Sequence, residues 1–209
     1  MEVLVAGLDV AAVLFDMDGT LVDSDAAVER AWRTWGSEFG VDGDAAITLA
    51  HGSPSEPTVR KLLSEATEDQ IMAAVGRQMV LQYDDVADVA PTPGALDLIA
   101  ALDRNGVPWA VFTSADRRLA TARLGAAGIV APLLVTNDDV RTGKPDPEGW
   151  LRAAALVGVP PEKCLVVEDA EVGLRAARAA GAKTAALRGL PGDLPISSLS
   201  ELIGALRLR

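Results

Sequence analysis

The chain has 209 residues, 49% of them hydrophobic, which is enough to bury one full core and a small second one. Its 30 acidic and 19 basic residues give a net charge of −11, which argues against binding to nucleic acid or to anionic membranes. No apolar run approaches the ~18 residues of a membrane span, and the N-terminus has no signal-peptide pattern. The single cysteine, Cys164, lies in an apolar run, which predicts core packing and a cytoplasmic protein.

The first informative stretch is an apolar run that leads directly into two aspartates. We predict a strand over residues 12–17, buried on both faces as in a parallel sheet. Asp16 and Asp18 are two residues apart, so their side chains should project to the same side of the strand. Neighbouring carboxylates repel each other, and the pair therefore indicates a hard cation such as Mg²⁺ between them. The alternative is a simple Asp-x-Asp-Gly turn that closes the strand at Gly19.

Residues 23–89 have the periodicity of helices. Ser24 is expected to cap a helix over residues 26–39, a loop rich in Gly and Asp follows, and a shorter helix covers residues 57–64. A capping box that begins at Thr67 starts the next helix, whose predicted apolar stripe is Met72, Val75, Met79 and Tyr83. We interpret residues 23–89 as a helical cap domain inserted into a core of residues 1–22 and 90–209. A single mixed domain is the alternative.

From residue 91 onward, strands and helices alternate. Strands are predicted over residues 107–112, 133–135, 164–167 and 183–187, with helices between them and a last helix over residues 198–206. Repeated strand–helix units with short connections are typical of an α/β fold. We therefore predict a Rossmann-like parallel sheet with helices on both faces and a ligand site at the carboxyl ends of its strands.

Polar residues follow the predicted strands and should converge at that edge. They are the pair Asp16 and Asp18, the pair Thr113 and Ser114, the pair Glu168 and Asp169, and Lys144 from the loop 141–145. Four acids, two hydroxyls and one lysine would be costly to bury together without a metal and an anionic ligand. The combination predicts a phosphate-and-magnesium site.

Several sequence motifs carry a resemblance to a known family. DMDGTLVDS resembles the first motif of the haloacid dehalogenase superfamily, and Thr113, Lys144 and Glu168-Asp169 match its later motifs in order. The helical insert resembles the phosphoglucomutase-like subgroup, and AVERAWRTWGSEFG, HGSP and PTPGALDLIAAL resemble its bacterial sugar phosphatases. The resemblance implies a Mg²⁺-dependent phosphatase that hydrolyses a small phosphorylated sugar or polyol through an aspartyl-phosphate. A monomer is expected, with a dimer left open.

The resemblance also implies roles for the four acids. Asp16 would be the nucleophile. Asp18 would protonate the leaving oxygen and then deprotonate the hydrolytic water. Mg²⁺ would be held by Asp16, the main-chain carbonyl of Asp18 and Asp169. Glu168 would be a further ligand or would orient the ligands.

The remaining predicted site residues would bind the substrate. Thr113, Ser114 and Lys144 would contact the transferring phosphoryl group. His51, the only histidine, either faces the core site and helps to choose the leaving group or satisfies a turn. Lys61 would be a Schiff-base lysine in a phosphonate-cleaving relative, and otherwise lies on a solvated helix face.

Other activities on the same scaffold can be weighed from the sequence. The superfamily's dehalogenases lack an acid equivalent to Asp18, which argues against them. β-Phosphoglucomutase-like transfer between sugar positions needs the same core and is the main alternative. A non-catalytic binding protein is a remote one, because the acid set is intact. Trp32 and Trp35 are expected in the cap core, with a sugar-stacking platform as the alternative.

Overall fold

The computed structural model describes residues 3–5, 8–50 and 53–208. The strands are β1 (Val3–Val5), β2 (Leu8–Val10), β3 (Ala12–Phe15), β4 (Val22–Asp23), β5 (Ala90–Pro91), β6 (Trp109–Phe112), β7 (Leu134–Val135), β8 (Cys164–Glu168), β9 (Lys183–Ala186), β10 (Leu194–Pro195) and β11 (Leu206–Leu208). The α-helices are α1 (Asp25–Phe39), α2 (Gly43–Ala50), α3 (Ser55–Leu62), α4 (Glu68–Tyr83), α5 (Ala95–Arg104), α6 (Arg117–Ala126), α7 (Glu148–Val157), α8 (Glu171–Ala179) and α9 (Ser200–Ala205).

The main sheet has six parallel strands in the order β10-β9-β8-β3-β6-β7. Every residue of β3, β6 and β8 is buried, as expected for a sheet covered on both faces. Along β3, Val13 and Phe15 pack with residues of α5, α6 and α9, whereas Leu14 packs with α7 and α8. The predicted α/β fold class is confirmed, and Cys164 is buried in β8 as predicted.

Helices α1 to α4 form a cap with a hydrophobic core of its own. The chain leaves the main sheet through β4 and returns through β5, and these two strands pair antiparallel. Trp32 and Trp35 lie edge to face in the cap core, and the indole N–H of Trp35 donates to the carbonyl of Ala74 at 2.9 Å. The inserted helical cap is confirmed as part of the fold, while its exact limits at residues 23 and 89 stay a prediction.

Two details of the cap differ from the sequence prediction. The predicted Gly/Asp-rich loop contains helix α2, whose start is satisfied by Asp42 Oδ1 accepting the N–H of Asp44 at 2.9 Å. The buried face of α4 is Ile71, Ala74, Gln78 and Gln82. Each position of the predicted stripe therefore lies one residue too far along the chain, and Met72 is 48% exposed. The hydrophobic pattern failed here because two of the four buried positions hold glutamine.

Further differences lie at the ends of the chain and of β3. Strands β11, β1 and β2 form a separate three-stranded antiparallel sheet, which the sequence analysis did not predict. Strand β3 ends at Phe15, two residues before the predicted end. No helix in the described parts of the chain combines the length and the apolar composition that crossing a bilayer requires.

Candidate active site

Three buried carboxylates meet at the carboxyl edge of the main sheet. Asp16 follows β3, Glu168 ends β8 and Asp169 comes next, and one oxygen from each lies within 4.8 Å of the others. Strands β3 and β8 are parallel neighbours with Phe15 opposite Val167, so the residues that follow them must come together. This part of the predicted convergence is therefore a direct result of strand order.

Lys144 places a buried ammonium group between two of these carboxylates. Its Nζ donates to Asp16 Oδ1 and, at 2.5 Å, to Glu168 Oε1. The other Glu168 oxygen accepts the backbone N–H groups of Asp169 at 2.8 Å and Ala170 at 3.0 Å. Burial alone would lower the pKa of Lys144, but the two carboxylates outweigh burial and raise it above its ordinary value. Lys144 therefore stays protonated and holds both acids in place.

The acids still outnumber their cations. Burial, followed by the charge of Glu168, raises the pKa of Asp16 well above its usual range. The same two causes raise the pKa of Asp169 to about 7, although Arg188 Nε lies 2.8 Å from its Oδ2 and acts in the opposite direction. A bound divalent cation would relieve this repulsion, and a set of carboxylate oxygens suits a hard cation such as Mg²⁺. The residues thus fit the predicted metal.

Two glycines allow the backbone to approach these carboxylates closely. A Cβ added at Gly19, whose φ is +80°, would lie 2.1 Å from Asp169 Oδ2. A Cβ added at Gly173 would lie 1.5 Å from Glu168 Oε1. Any side chain at either position would displace a site carboxylate.

Most of the predicted site residues face one cavity between the core and the cap. Asp16, Asp18, Thr113, Ser114 and Asp169 all line this cavity of about 260 Å³. The Thr113 hydroxyl oxygen accepts the N–H of Ala115 at 3.0 Å, which leaves its proton available for a ligand. Glu168 and Lys144 are buried beside Asp16, whereas the predicted binding residue His51 lies outside the described residues.

Asp18 lies in a different setting from the three clustered acids. Its Oδ1 accepts from Ser24 Oγ at 2.6 Å and from Arg123 Nη1 at 2.8 Å. The Ser24 side chain therefore does not cap α1, although Ser24 occupies the N-cap position as predicted. Among the described residues, the carboxylates clustered with Asp16 are those of Glu168 and Asp169, and a cation between the Asp16 and Asp18 carboxylates stays a prediction.

Sequence reasoning missed two arginines at this edge. Arg123 is 2% exposed within α6, and Arg188 follows β9 and binds both Asp169 and Asp25. An arginine within the apolar face of a helix is a signal that could have identified Arg123. Arg188 could have been found by extending to β9 the same rule that identified the polar residues after the other strands.

A comparison with family models shows to which family the chain belongs. The model described as haloacid dehalogenase-like hydrolase matches residues 10–181. The chain belongs to this family. The superfamily and the hydrolase class predicted from the sequence are thereby confirmed.

Curated relatives of this haloacid dehalogenase-like hydrolase include named phosphatases. Hexitol phosphatase A of Escherichia coli is 38% identical over 191 residues, which cover 91% of this chain and 88% of that protein. Fructose-1-phosphate phosphatase YqaB of Escherichia coli is 32% identical over 176 residues, covering 82% of this chain and 93% of that protein.

Solved structures support the same fold. A hydrolase from Pseudomonas syringae superposes with a TM-score of 0.84 at 26% identity, covering 93% of this chain and 96% of the other. β-Phosphoglucomutase from Clostridium difficile superposes with a TM-score of 0.80 at 19% identity, covering 92% of this chain and 93% of the other. The second likeness concerns the fold alone.

Two alternatives from the sequence analysis can be placed in the structure. Lys61 is exposed on α3, as expected for a lysine on a solvated helix face. Trp35 is completely buried, whereas Trp32 is 2% exposed and lines the cavity. Both tryptophans thus belong to the cap core, and the edge of Trp32 forms part of the cavity wall.

Proposed function

We propose that this protein is a Mg²⁺-dependent phosphatase that releases phosphate from small phosphorylated sugars or polyols through an aspartyl-phosphate on Asp16. The observation that carries the proposal is the buried cluster of Asp16, Glu168 and Asp169 around Lys144, beside a cavity covered by the helical cap. The relatives named hexitol phosphatase and fructose-1-phosphate phosphatase support the substrate class.

The metal would be held by the carboxylates of Asp16 and Asp169 and by the main-chain carbonyl of Asp18. Glu168 already accepts hydrogen bonds from Lys144 and two backbone N–H groups, which favours a role in orienting its neighbours over direct ligation. When bound, Mg²⁺ would relieve the repulsion among the acids and balance charge on the transferring phosphoryl group.

In the first step, a carboxylate oxygen of Asp16 attacks phosphorus, and the bond from phosphorus to the leaving oxygen breaks. Asp18 gives its proton to that oxygen, so the sugar or polyol departs as an alcohol. The Thr113 hydroxyl and the Ser114 N–H bind the phosphoryl oxygens at the sheet edge, and Lys144 holds Asp16 in its attacking position.

In the second step, Asp18 removes a proton from a water molecule. The water oxygen attacks phosphorus, and the bond between phosphorus and Asp16 breaks. Inorganic phosphate leaves, and both aspartates return to their starting protonation states.

The cap side of the cavity supports a neutral, polyhydroxylated leaving group. Hydroxyl, amide and carboxyl side chains there can bond to hydroxyls, and apolar walls can cover carbon. These cap residues are Ser24, Asp25, Val28, Trp32, Ala50, Ser53, Pro54, Ser55, Glu56, Val75, Met79 and Gln82. Among the described residues that line the cavity, the only cation is Arg123, which is already bound to Asp18 and Gln82.

The same charge pattern bears on the mutase alternative. A phosphoenzyme that transfers its phosphoryl group to a sugar monophosphate must hold a sugar bisphosphate, whose second phosphate needs a cationic partner. The described cap residues that line the cavity include the acids Asp25 and Glu56 and no lysine or arginine. This favours water over a phosphorylated sugar as the final acceptor.

A panel of phosphate esters tests the proposal. Phosphate release is measured with Mg²⁺ and with EDTA for fructose 1-phosphate, a hexitol phosphate and glycerol 1-phosphate, together with conversion of β-glucose 1-phosphate to glucose 6-phosphate. We expect Mg²⁺-dependent phosphate release and no net isomerisation. Isomerisation without release would favour the mutase, and no turnover of any ester would favour a non-catalytic binding protein.

Asp16→Asn tests the nucleophile in the same assay. The variant should fold and lose activity on every ester, because the amide cannot form the phosphoenzyme. Asp97→Asn changes an exposed aspartate on α5 and is the matched control, expected to keep wild-type rates. Retained activity in Asp16→Asn would contradict the assignment.

A further inference from the structure

Arg123 is a buried cation that the reaction described above does not use. Its side chain is 3% exposed, and its two terminal nitrogens bind different parts of the molecule. Nη1 donates to Asp18 Oδ1 at 2.8 Å, and Nη2 donates to Gln82 Oε1 at 3.0 Å. A buried guanidinium is costly unless its charge and donors are matched, so these two contacts call for an explanation.

The hydrogen bonding of Arg123 is incomplete. Its Nε is buried and has no hydrogen-bond partner among the described residues. A buried donor left unpaired is costly, because it gives up its hydrogen bond to water on folding and gains none in return. A guanidinium placed only for stability would be expected to have its Nε–H bonded as well, so the geometry favours a role tied to its two bound partners.

On the core side, Arg123 restricts Asp18. The Arg123 and Ser24 donors both fall on Oδ1 of that carboxylate, which leaves Oδ2 as the oxygen for proton exchange. A charge-assisted bond and a hydroxyl bond on the same oxygen also limit rotation of the carboxylate. Proton transfer requires this orientation, because donor and acceptor must come within hydrogen-bond distance of each other.

On the cap side, Arg123 reaches a residue that faces the leaving group. Gln82 belongs to α4 and lines the cavity, and its Nε2 lies 3.3 Å from Ser55 Oγ at the start of α3. A line of contacts therefore runs from Asp18 through Arg123 and Gln82 to Ser55. A movement of α4 relative to the core must alter the contact between Gln82 and Arg123.

We propose that Arg123 is a positioning residue that orients Asp18 for proton transfer to the leaving oxygen and links that orientation to the cap through Gln82. The inference rests on the proposed function. Arg123 itself neither gives nor takes a proton, because a guanidinium remains protonated throughout the cycle. The transferred proton moves from Asp18 to the leaving oxygen, and later from water back to Asp18.

The test uses a series of para-substituted phenyl phosphates, from p-nitrophenyl to p-methoxyphenyl phosphate, with the Mg²⁺-loaded full chain. These esters are similar in size, so they differ mainly in how much the leaving oxygen needs a proton. We expect Arg123→Met to lower kcat/KM, which reports the step in which the leaving group departs, about 30-fold on p-methoxyphenyl phosphate and less than about threefold on p-nitrophenyl phosphate, since general acid catalysis contributes about 10²–10⁴-fold in total. A purely structural role would lower kcat/KM by the same factor for every ester.

Three further variants make the result decisive. Arg175→Met removes an exposed arginine of α8 and should leave the leaving-group dependence unchanged. Arg123→Lys keeps the positive charge but lacks the planar guanidinium that binds two partners at once. It should give a leaving-group dependence between those of the wild type and Arg123→Met, and it tests the proposal even if the methionine variant does not fold. Gln82→Leu keeps the contact between Arg123 and Asp18, and should steepen the dependence less than Arg123→Met does.

Asp18→Asn provides the reference. If Asp18→Asn makes the rate depend more steeply on the leaving group while neither Arg123 variant does, the inference is overturned and the proposed function stands. If Asp18→Asn itself leaves the dependence unchanged, the assignment of Asp18 as the acid is wrong. An unchanged dependence in Gln82→Leu alone would overturn the link to the cap.

Discussion

Removal of the Lys144 charge is expected to destabilise the metal-free protein strongly. The Lys144 side chain has no exposed surface and lies between Asp16 and Glu168, so Lys144→Met leaves two buried carboxylates without their shared cation. Removing one partner from a buried ion pair costs about 3–5 kcal/mol. For a chain of this size, each kcal/mol lowers the melting temperature by about 2–4 °C. The expected decrease is therefore about 6–20 °C.

The measurement is urea and thermal unfolding in EDTA, followed by circular dichroism at neutral pH. Lys61→Met is the matched control, because Lys61 is exposed on α3 and surface substitutions change stability by about 0.5 kcal/mol or less. Added Mg²⁺ should recover part of the loss in Lys144→Met, since the ion also balances the carboxylates. Equal losses in the two variants would refute the electrostatic account of the site.

Two further predictions concern the metal site. Because the pKa of Asp169 is raised to about 7 in the folded protein, its proton stabilises the fold at low pH and this stabilisation is lost as pH rises through about 7. The increase in melting temperature on adding Mg²⁺ should therefore be larger at about pH 8 than at about pH 5, and a pH-independent increase would contradict this. Gly173→Ala should weaken Mg²⁺ activation and lower kcat, since its methyl group would meet Glu168 Oε1. Gly76→Ala, where a Cβ meets nothing within 4 Å, should leave both unchanged in the same activity titration.

The sequence was sufficient for the part of the site that strand order determines. Buried parallel strands read as short apolar runs, and the polar residues that follow them mark the carboxyl edge of the sheet. Asp16, Thr113 and Glu168 were found in this way. Their meeting required only that the strands before them be neighbours, and β3 lies between β6 and β8.

The sequence was insufficient where a contact depends on helix placement. Arg123 reaches Asp18 across 105 positions of sequence, and Gln82 reaches Arg123 across 41, so no local pattern records either contact. The buried face of α4 was missed for a related reason. Gln78 and Gln82 are polar residues at buried positions, and periodicity of apolar residues cannot detect them.

The two proposed catalytic aspartates differ in how their charge is balanced. Asp16 shares Lys144 with Glu168 and lies beside Asp169, so its surroundings remain short of positive charge without an added cation. Asp18 instead has a cation from the chain itself, Arg123, and a hydroxyl donor. Opposite requirements explain this division: the nucleophile must be ionised next to a phosphate, whereas the acid must exchange a proton in every cycle. A metal between both carboxylates would oppose that exchange, and the separation of Asp18 from the acidic cluster would keep the two proposed tasks independent.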